Sequence, residues 1–253
     1  KRQDVNDVHQ LLNVSMNPIT ISYSLPLKSE TIIPSYDNML RAVQQKLQEN
    51  NVLKPNYQFS FTLKQIDSYE QLALFFGEEI DLSDLFKITS PNPIHKTVAV
   101  LDISQSYFSI AMDMPEEELS NSPIVQEQLS ELIYVGSIEF GRRSILIVES
   151  DLNYQDVKVA LNEILNKSTT KKGDISEKSK SIMASSIIRG LILDPLANEN
   201  ITPDNPLEYL LDYINSDISP NDFGVPIFFT AAWLKDNSCL LYTSPSPRDT
   251  ERS

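Results

Sequence analysis

The sequence predicts an α+β fold, an antiparallel sheet flanked by clusters of helices, and three stretches carry that expectation. Ser144-Ile-Leu-Ile-Val148 is an unbroken apolar run rich in β-branched residues, the pattern of a strand buried on both faces. Just after it, Val157, Ala160, Leu161, Ile164 and Leu165 recur at i, i+3, i+4, i+7 and i+8, one face of an α-helix, with Ser150 or Asp151 placed to cap its start. Tyr57-Gln-Phe-Ser-Phe-Thr-Leu63 alternates strictly, as a half-buried antiparallel strand does. Phe108, Ile110 and Met112 repeat that alternation inside a strand of the same sheet expected over Ile103 to Met114.

The remaining elements follow in chain order. Residues 1–16 are polar around one apolar cluster, Leu11-Leu12-Val14; Ile19 to Tyr23 then alternates as a strand, and Pro26 ends it. Ser35 or Asp37 starts a helix through Leu40, Val43 and Leu47 that closes near Asn50-Asn51. The segment Ile66 to Ile88 fits two periods. As a helix it lines up Tyr69, Leu72, Phe76 and Ile80, continued by Leu82, Leu85 and Phe86. As a strand it puts Leu72, Leu74, Phe76, Ile80, Leu82, Phe86 and Ile88 on one face, and Ala73, Gly77, Glu79, Asp81, Ser83 and Lys87 on the other. Amphipathic helices carry accidental period-2 runs, so plain core packing explains this stretch as well as a convertible one does. Pro91-Asn-Pro93 is a turn, and Thr97 to Leu101 is apolar. Phe140-Gly141-Arg142 reads as a bend, with Gly141 marking a bulge or a close backbone approach. After the loop Lys167 to Gly173, Ile182, Met183 and Ile187 suggest a helix, Gly190 to Leu193 a strand, and Leu207, Tyr209, Leu211 and Tyr213 alternate.

Composition excludes several classes of function. The 253 residues, 41% hydrophobic, can bury a full core. The formal charge of −14, with no basic stripe, argues against a nucleic-acid partner. One cysteine rules out an internal disulfide, and two distant histidines, His9 and His95, offer no metal-ligand spacing. No phosphate-cradling glycine motif occurs, so neither a cofactor nor a small-molecule substrate is expected. Glu78-Glu79 and Glu116-Glu117 are adjacent, and adjacent strand side chains point to opposite faces, a poor arrangement for acid and base. An enzyme is therefore not expected. No run is long and apolar enough for a membrane-spanning helix.

Three stretches also resemble the cholesterol-dependent (thiol-activated) cytolysins, bacterial pore-forming toxins. They are the order strand, Phe140-Gly141-Arg142, apolar strand ending in Glu149-Ser150 and capped helix; Asn17-Pro-Ile-Thr-Ile-Ser-Tyr-Ser-Leu-Pro26; and Gly224-Val-Pro-Ile-Phe-Phe-Thr-Ala-Ala-Trp-Leu-Lys-Asp-Asn237. The resemblance implies a membrane-attack-complex/cytolysin-like core: a bent, twisted antiparallel sheet of about four strands with helical clusters on its flanks. It further implies a secreted subunit of a homo-oligomeric ring that inserts into a lipid membrane, cholesterol-containing in the family. In the family, two helical clusters unfurl into two transmembrane β-hairpins of a large barrel. The first hairpin would be Ile66 to about Val100, with Leu72, Leu74, Phe76, Ile80, Leu82 and Phe86 as membrane-inserting candidates. The second would be about Ser179 to Tyr213, with Leu191, Leu193, Leu207, Tyr209 and Leu211. Phe140, Gly141 and Arg142 would mark the sheet bend and the edge that pairs with the next subunit. Residues 1–65, 101–150 and 223–237 would form a base lobe, and 66–100 and 151–222 the convertible lobe.

Some positions depart from the family. Arg143 stands where a small hydroxyl residue is usual, and Asp194-Pro195 where a Gly-Gly pair is typical, while Pro203 and Pro206 also cannot donate to a ladder. These departures favour an alternative reading, a non-lytic cytolysin-like surface or partner protein that keeps the fold. Cys239 to Asp249 reads like the translation of a transposase sequencing adapter, with Thr250 to Ser253 as barcode, so residues 238–253 are expected to be read-through. With Lys1 in place of Met, the chain reads as a fragment ending before the family's C-terminal membrane-recognition domain.

Overall fold

The structure, a computed structural model, describes residues 12–50, 58–72, 86–90, 92–113, 118–170, 173–193, 206–216 and 218–240. In chain order the elements are β1 (Ile19–Tyr23), β2 (Glu30–Ile32), α1 (Tyr36–Asn50), β3 (Gln58–Ile66), a 3-10 turn (Tyr69–Leu72), β4 (Thr97–Met112), α2 (Pro123–Glu127), β5 (Ile133–Ser150), α3 (Tyr154–Thr170), α4 (Glu177–Ala184), β6 (Ile187–Leu193), α5 (Pro206–Asn215) and β7 (Val225–Trp233). Contacts group the described residues into two compact units. One draws on residues between 56 and 107 and between 141 and 225, the other on those between 11 and 55, 108 and 140, and 226 and 253. The division passes through β4 and β5.

In the first unit β3 pairs antiparallel with β4, from Gln58↔Ser106 to Ile66↔Val98, and β6 with β5, from Arg143↔Leu193 to Glu149↔Ile187. With β4 beside β5, the strand order is β3-β4-β5-β6. Both faces are apolar and both are covered. On one face Ala99, Leu101, Ile103, Leu146, Val148 and Ile192 pack against α3, α4 and α5 through Val157, Leu161, Leu165, Ile182, Met183, Leu207 and Leu210. On the other, Val98, Val100, Ile145, Ile147 and Leu191 meet Tyr69, Leu72, Phe86 and Ile88. The continuous apolar run of β5 is thus explained by burial on both sides.

In the second unit β1 pairs with β2 and with the end of β4, Ile21↔Met112 to Tyr23↔Ile110. Ser35 caps α1, its side-chain oxygen accepting from Asn38 N at 3.1 Å. Phe108 and Phe140 stack with centroids 5.2 Å apart. Beyond β7, Trp233 N donates to the Ser238 carbonyl at 2.9 Å and Leu240 N to that of Ala231 at 2.8 Å, so part of the adapter-like tail returns along β7.

Three expectations change. β4 starts at Thr97, so the apolar stretch Thr97 to Leu101, read as part of a hairpin, is a core strand. Helix α3 is capped by Asn153, which accepts from Asp156 N at 2.9 Å, rather than by Ser150 or Asp151. Ile187 opens β6 rather than extending a helix. β5 runs without interruption over 18 residues through Phe140-Gly141-Arg142. Gly141 is the close-approach point there. A Cβ on Gly224, whose φ is +83°, would lie 2.2 Å from the Gly141 carbonyl oxygen.

Replacing Gly224 by Ala combines a left-handed backbone with that overlap, so Gly224→Ala is expected to cost about 2 to 4 kcal/mol in urea unfolding. A loss below about 0.5 kcal/mol would show that the contact is not needed.

Candidate functional site

The sheet of the first unit has one distinctive end. β3 finishes and β4 begins there, at Ile66↔Val98, and β5 finishes where β6 begins, at Glu149↔Ile187. Both strand-connecting segments, 67–96 and 151–186, therefore leave the sheet at the same end. Side-chain contacts join them: Thr97 Oγ1 donates to the Leu152 carbonyl at 2.7 Å, and His95 Nδ1 lies 3.0 Å from Asp151 Oδ1.

The first segment covers the sheet face through Tyr69, Leu72, Phe86 and Ile88; Leu72 is wholly buried and Phe86 nearly so. Of the sequence candidates there, Leu74, Phe76, Ile80 and Leu82 lie outside the described residues. The second segment is the helix pair α3 and α4, which bury Val157, Ala160, Leu161, Ile164, Leu165, Ile182 and Met183 against the opposite face. Glu163 ties the two helices together. It accepts from Ser176 N at 3.1 Å, Ser176 Oγ at 2.7 Å and Ser179 Oγ, and it pairs with Lys167 at 2.7 Å. The hydrogen bonds from Lys167 first, then from Ser176 and Ser179, hold its carboxyl well below the usual carboxylate range.

The second set of sequence candidates falls elsewhere. Leu191 is buried in β6 and Leu193 ends that strand, so both are sheet residues already. Leu207, Tyr209 and Leu211 lie on α5, which follows β6 from the opposite end of the sheet, where Leu193 pairs with Arg143. The apparent alternation came from a helix whose buried face is Leu207, Leu210 and Tyr213, spaced at i, i+3 and i+6. Pro206 is tolerated because it occupies the first helical position, where no backbone N–H is required.

Among Phe140, Gly141 and Arg142, the arginine carries the most structure. Its side chain is 1% exposed. Nη1 donates to the Tyr213 and Ser216 carbonyls and to Ser216 Oγ, and Nη2 donates to Asp222 Oδ2 at 2.8 Å. The guanidinium also sits 4.6 Å from the Tyr213 ring centroid and 5.5 Å from that of Tyr107. It thereby fastens the carboxyl end of α5, where backbone carbonyls lack helical partners, to the middle of β5. Arg143 faces the other way and makes a two-point pair with Asp102, at 3.2 and 3.0 Å.

Sequence reasoning missed a third charge. Glu149, 2% exposed, pairs with Arg189 of β6. Burial first, and then Glu149, push the Tyr69 phenol up. The only signal was an acidic residue closing an apolar strand. No spacing rule links positions 69, 149 and 189.

Comparison with known proteins follows this geometry. A profile described as thiol-activated cytolysin matches residues 2–244, running past the start of the adapter-like tail. Tetanolysin of Clostridium tetani is 25% identical over 262 residues, covering 90% of this chain and 48% of its own length. Perfringolysin O of Clostridium perfringens is 23% identical, covering 90% of this chain and 50% of its own. The solved structure of pneumolysin superposes with a TM-score of 0.71 at 21% identity, over 91% of this chain and 54% of that one. The chain thus spans about half the length of the relatives it matches.

Two outcomes are expected from the site's charges. Asp222→Ala leaves the Arg142 guanidinium buried without its counter-charge and should cost about 3 kcal/mol in urea unfolding; a change under 1 kcal/mol would contradict that role. Because the folded-state value of Glu163 lies below the unfolded one, its contribution is fully present above about pH 4.3 and is lost as the pH falls toward the depressed value. The stability gap between wild type and Glu163→Gln should therefore hold from pH 7 to 5 and narrow below about pH 4. A gap unchanged at pH 3 would contradict it.

Proposed function

This chain belongs to the thiol-activated cytolysin family, and we propose that it is part of a secreted, oligomeric pore-forming toxin whose segments 67–96 and 151–186 convert into transmembrane β-hairpins. The observation that carries the reading is topological. Each segment joins two neighbouring antiparallel strands, and both leave the sheet at one end. Extending both strand pairs past that end gives two hairpins side by side with no rearrangement of the sheet.

Bilayer physics sets the remaining requirements. Backbone groups have no water partners in the hydrocarbon, so a spanning structure is a helix or a closed barrel. Among the described residues no helix is long and apolar enough to cross a membrane. A barrel strand needs about 9–11 residues, and each segment exceeds the roughly 20 that a hairpin requires. Extended, the first segment presents Leu72, Leu74, Phe76, Ile80, Leu82 and Phe86 to lipid. The second presents Val157, Val159, Leu161 and Leu165, with Glu163 in the same row. The topology favours 151–186 for the second hairpin over the 179–213 span read from the sequence.

Ring assembly requires a free strand edge. β3 and β6 are the outer strands of the first unit, and β6 covers β5 from Arg143 to Glu149. Among the described residues β3 and β6 each pair on one side only within the first unit, so the β6 edge of one copy could take the β3 edge of the next. Contact with a cholesterol-containing membrane would come from the part of the relatives that this chain does not span. The reading involves no enzymatic step and no cofactor.

A second reading, a non-lytic protein of the same fold, is favoured by two features. Glu163 would place a carboxylate in the lipid-facing row, and Asp194-Pro195 replaces the family's Gly-Gly after β6.

In the full-length gene product, an engineered disulfide that ties α3 to the sheet face it covers should hold that segment closed once oxidised. Leakage from cholesterol-containing vesicles should then stop and return on reduction; leakage that persists under oxidation contradicts helix-to-hairpin conversion. Phe76→Asp should lower leakage at least tenfold with solution stability unchanged. Full activity of that variant would show that Phe76 never faces lipid.

A further inference from the structure

Two consecutive arginines of β5 meet a carboxylate with the same fork, but only one of them closes it. Arg143 makes both bonds to Asp102, Nε to Oδ1 at 3.2 Å and Nη2 to Oδ2 at 3.0 Å. Arg142 makes half of that pattern with Asp222. Its Nη2 donates to Oδ2 at 2.8 Å, while Nε and the Asp222 Oδ1 have no protein partner. The Nε–H of a guanidinium points the same way as one Nη2–H, so the open donor lies on the fork that Arg143 fills with two bonds. Among the described residues one other buried side-chain nitrogen or oxygen lacks a protein partner, and it is Ser144 Oγ, two residues along the same face of β5. The three orphans therefore belong to one place.

That place is polar, small and shut off from solvent. The Arg142 and Ser144 side chains are each 1% exposed. The Tyr213 and Tyr107 rings lie over the guanidinium. Arg142, Ser144, Leu146 and Val148 alternate onto the face that the helices cover, and Ser144 is the smallest side chain in that row. Buried polar atoms in folded proteins find a partner in protein or in ordered water nearly always.

We infer that Arg142, Ser144 and Asp222 form a binding site for a single internal water, which accepts from Arg142 Nε and donates to Asp222 Oδ1 and Ser144 Oγ. Water matches all three atoms with one lone pair and its two protons. An anion would meet the Asp222 carboxylate and a cation the guanidinium, so a neutral ligand fits best. The bridge completes the joint by which Arg142 holds the carbonyls of Tyr213 and Ser216 to the middle of β5. Ser144 is then a positioning residue, acting on Arg142 through the water. None of the three residues lies in segments 67–96 or 151–186, so the site stands independently of the proposed pore.

A crystal structure of the 253-residue chain, at a resolution that shows ordered water, tests the site, together with water-selective NOE measurements on the Arg142 Nε–H group. In the wild type a water should lie within about 3.2 Å of all three atoms, and Arg142 Hε should show a cross-peak to a long-lived water. Ser144→Val removes the hydroxyl and puts methyl groups in its place. There the water should leave, the cross-peak should vanish, and Arg142 with Asp222 should close into the two-point form that Arg143 makes with Asp102. The inference is overturned if Arg142 Nε bonds Asp222 Oδ1 directly in the wild type, if no water bridges the three atoms, or if the water stays in Ser144→Val. Should that variant fail to fold, the wild-type density and cross-peak decide alone.

Discussion

Charge buried in a sheet core is costly unless every charge is met, and β5 carries two such charges on opposite faces. Arg142 points toward the helical face and collects the carbonyls at the end of α5, the Asp222 carboxylate and two aromatic rings. Glu149 points the other way and holds Arg189 of β6. Each charge fixes elements that apolar packing alone would leave free to slide, because a buried ion that loses its partner costs several kcal/mol. The strand is thus a spine with an anchor on each side. One anchor holds α5 and the approach to β7, and the other holds β6.

The covers themselves are weakly built compared with the strands. The 3-10 turn has four residues and α4 eight, lengths at which isolated helices are unstable in water, so both persist through the apolar surface they share with the sheet. Glu163 adds a polar clamp between α3 and α4 that mild acid does not loosen. Such an arrangement suits a protein that must stay closed in solution and open once. The strands pair over long registers, whereas their covers are attached by a few nameable contacts.

Much of this was legible in the chain. β-Branching over Ser144 to Val148 and the five apolar positions from Val157 to Leu165 gave a strand and a helix whose burial is complete. The alternation of Phe59, Phe61 and Leu63 gave β3. Where the reading failed, two periods competed or distant residues met. Leu207, Tyr209 and Leu211 lie on a helix whose buried face is spaced as Leu207, Leu210 and Tyr213, a period the alternation hid. The segment Thr97 to Leu101 was detached from β4 because its continuous burial erased the alternation seen at Phe108 to Met112. The pairs Arg142 with Asp222, Arg143 with Asp102 and Glu149 with Arg189 left no trace, since sequence periodicity reports a residue's face and says nothing of its partner.

The central claim is that a segment now folded as α3 becomes a membrane strand. Its most direct test is a cysteine scan from Val157 to Leu165 in a full-length background otherwise free of cysteine, each site carrying a fluorophore quenched by lipid-borne quenchers. On vesicles, quenching should alternate with a period of two residues, strongest at 157, 159, 161 and 165. Quenching that keeps a 3.6-residue period, or none at all, would mean that α3 stays a helix and that the pore, if one forms, is built elsewhere.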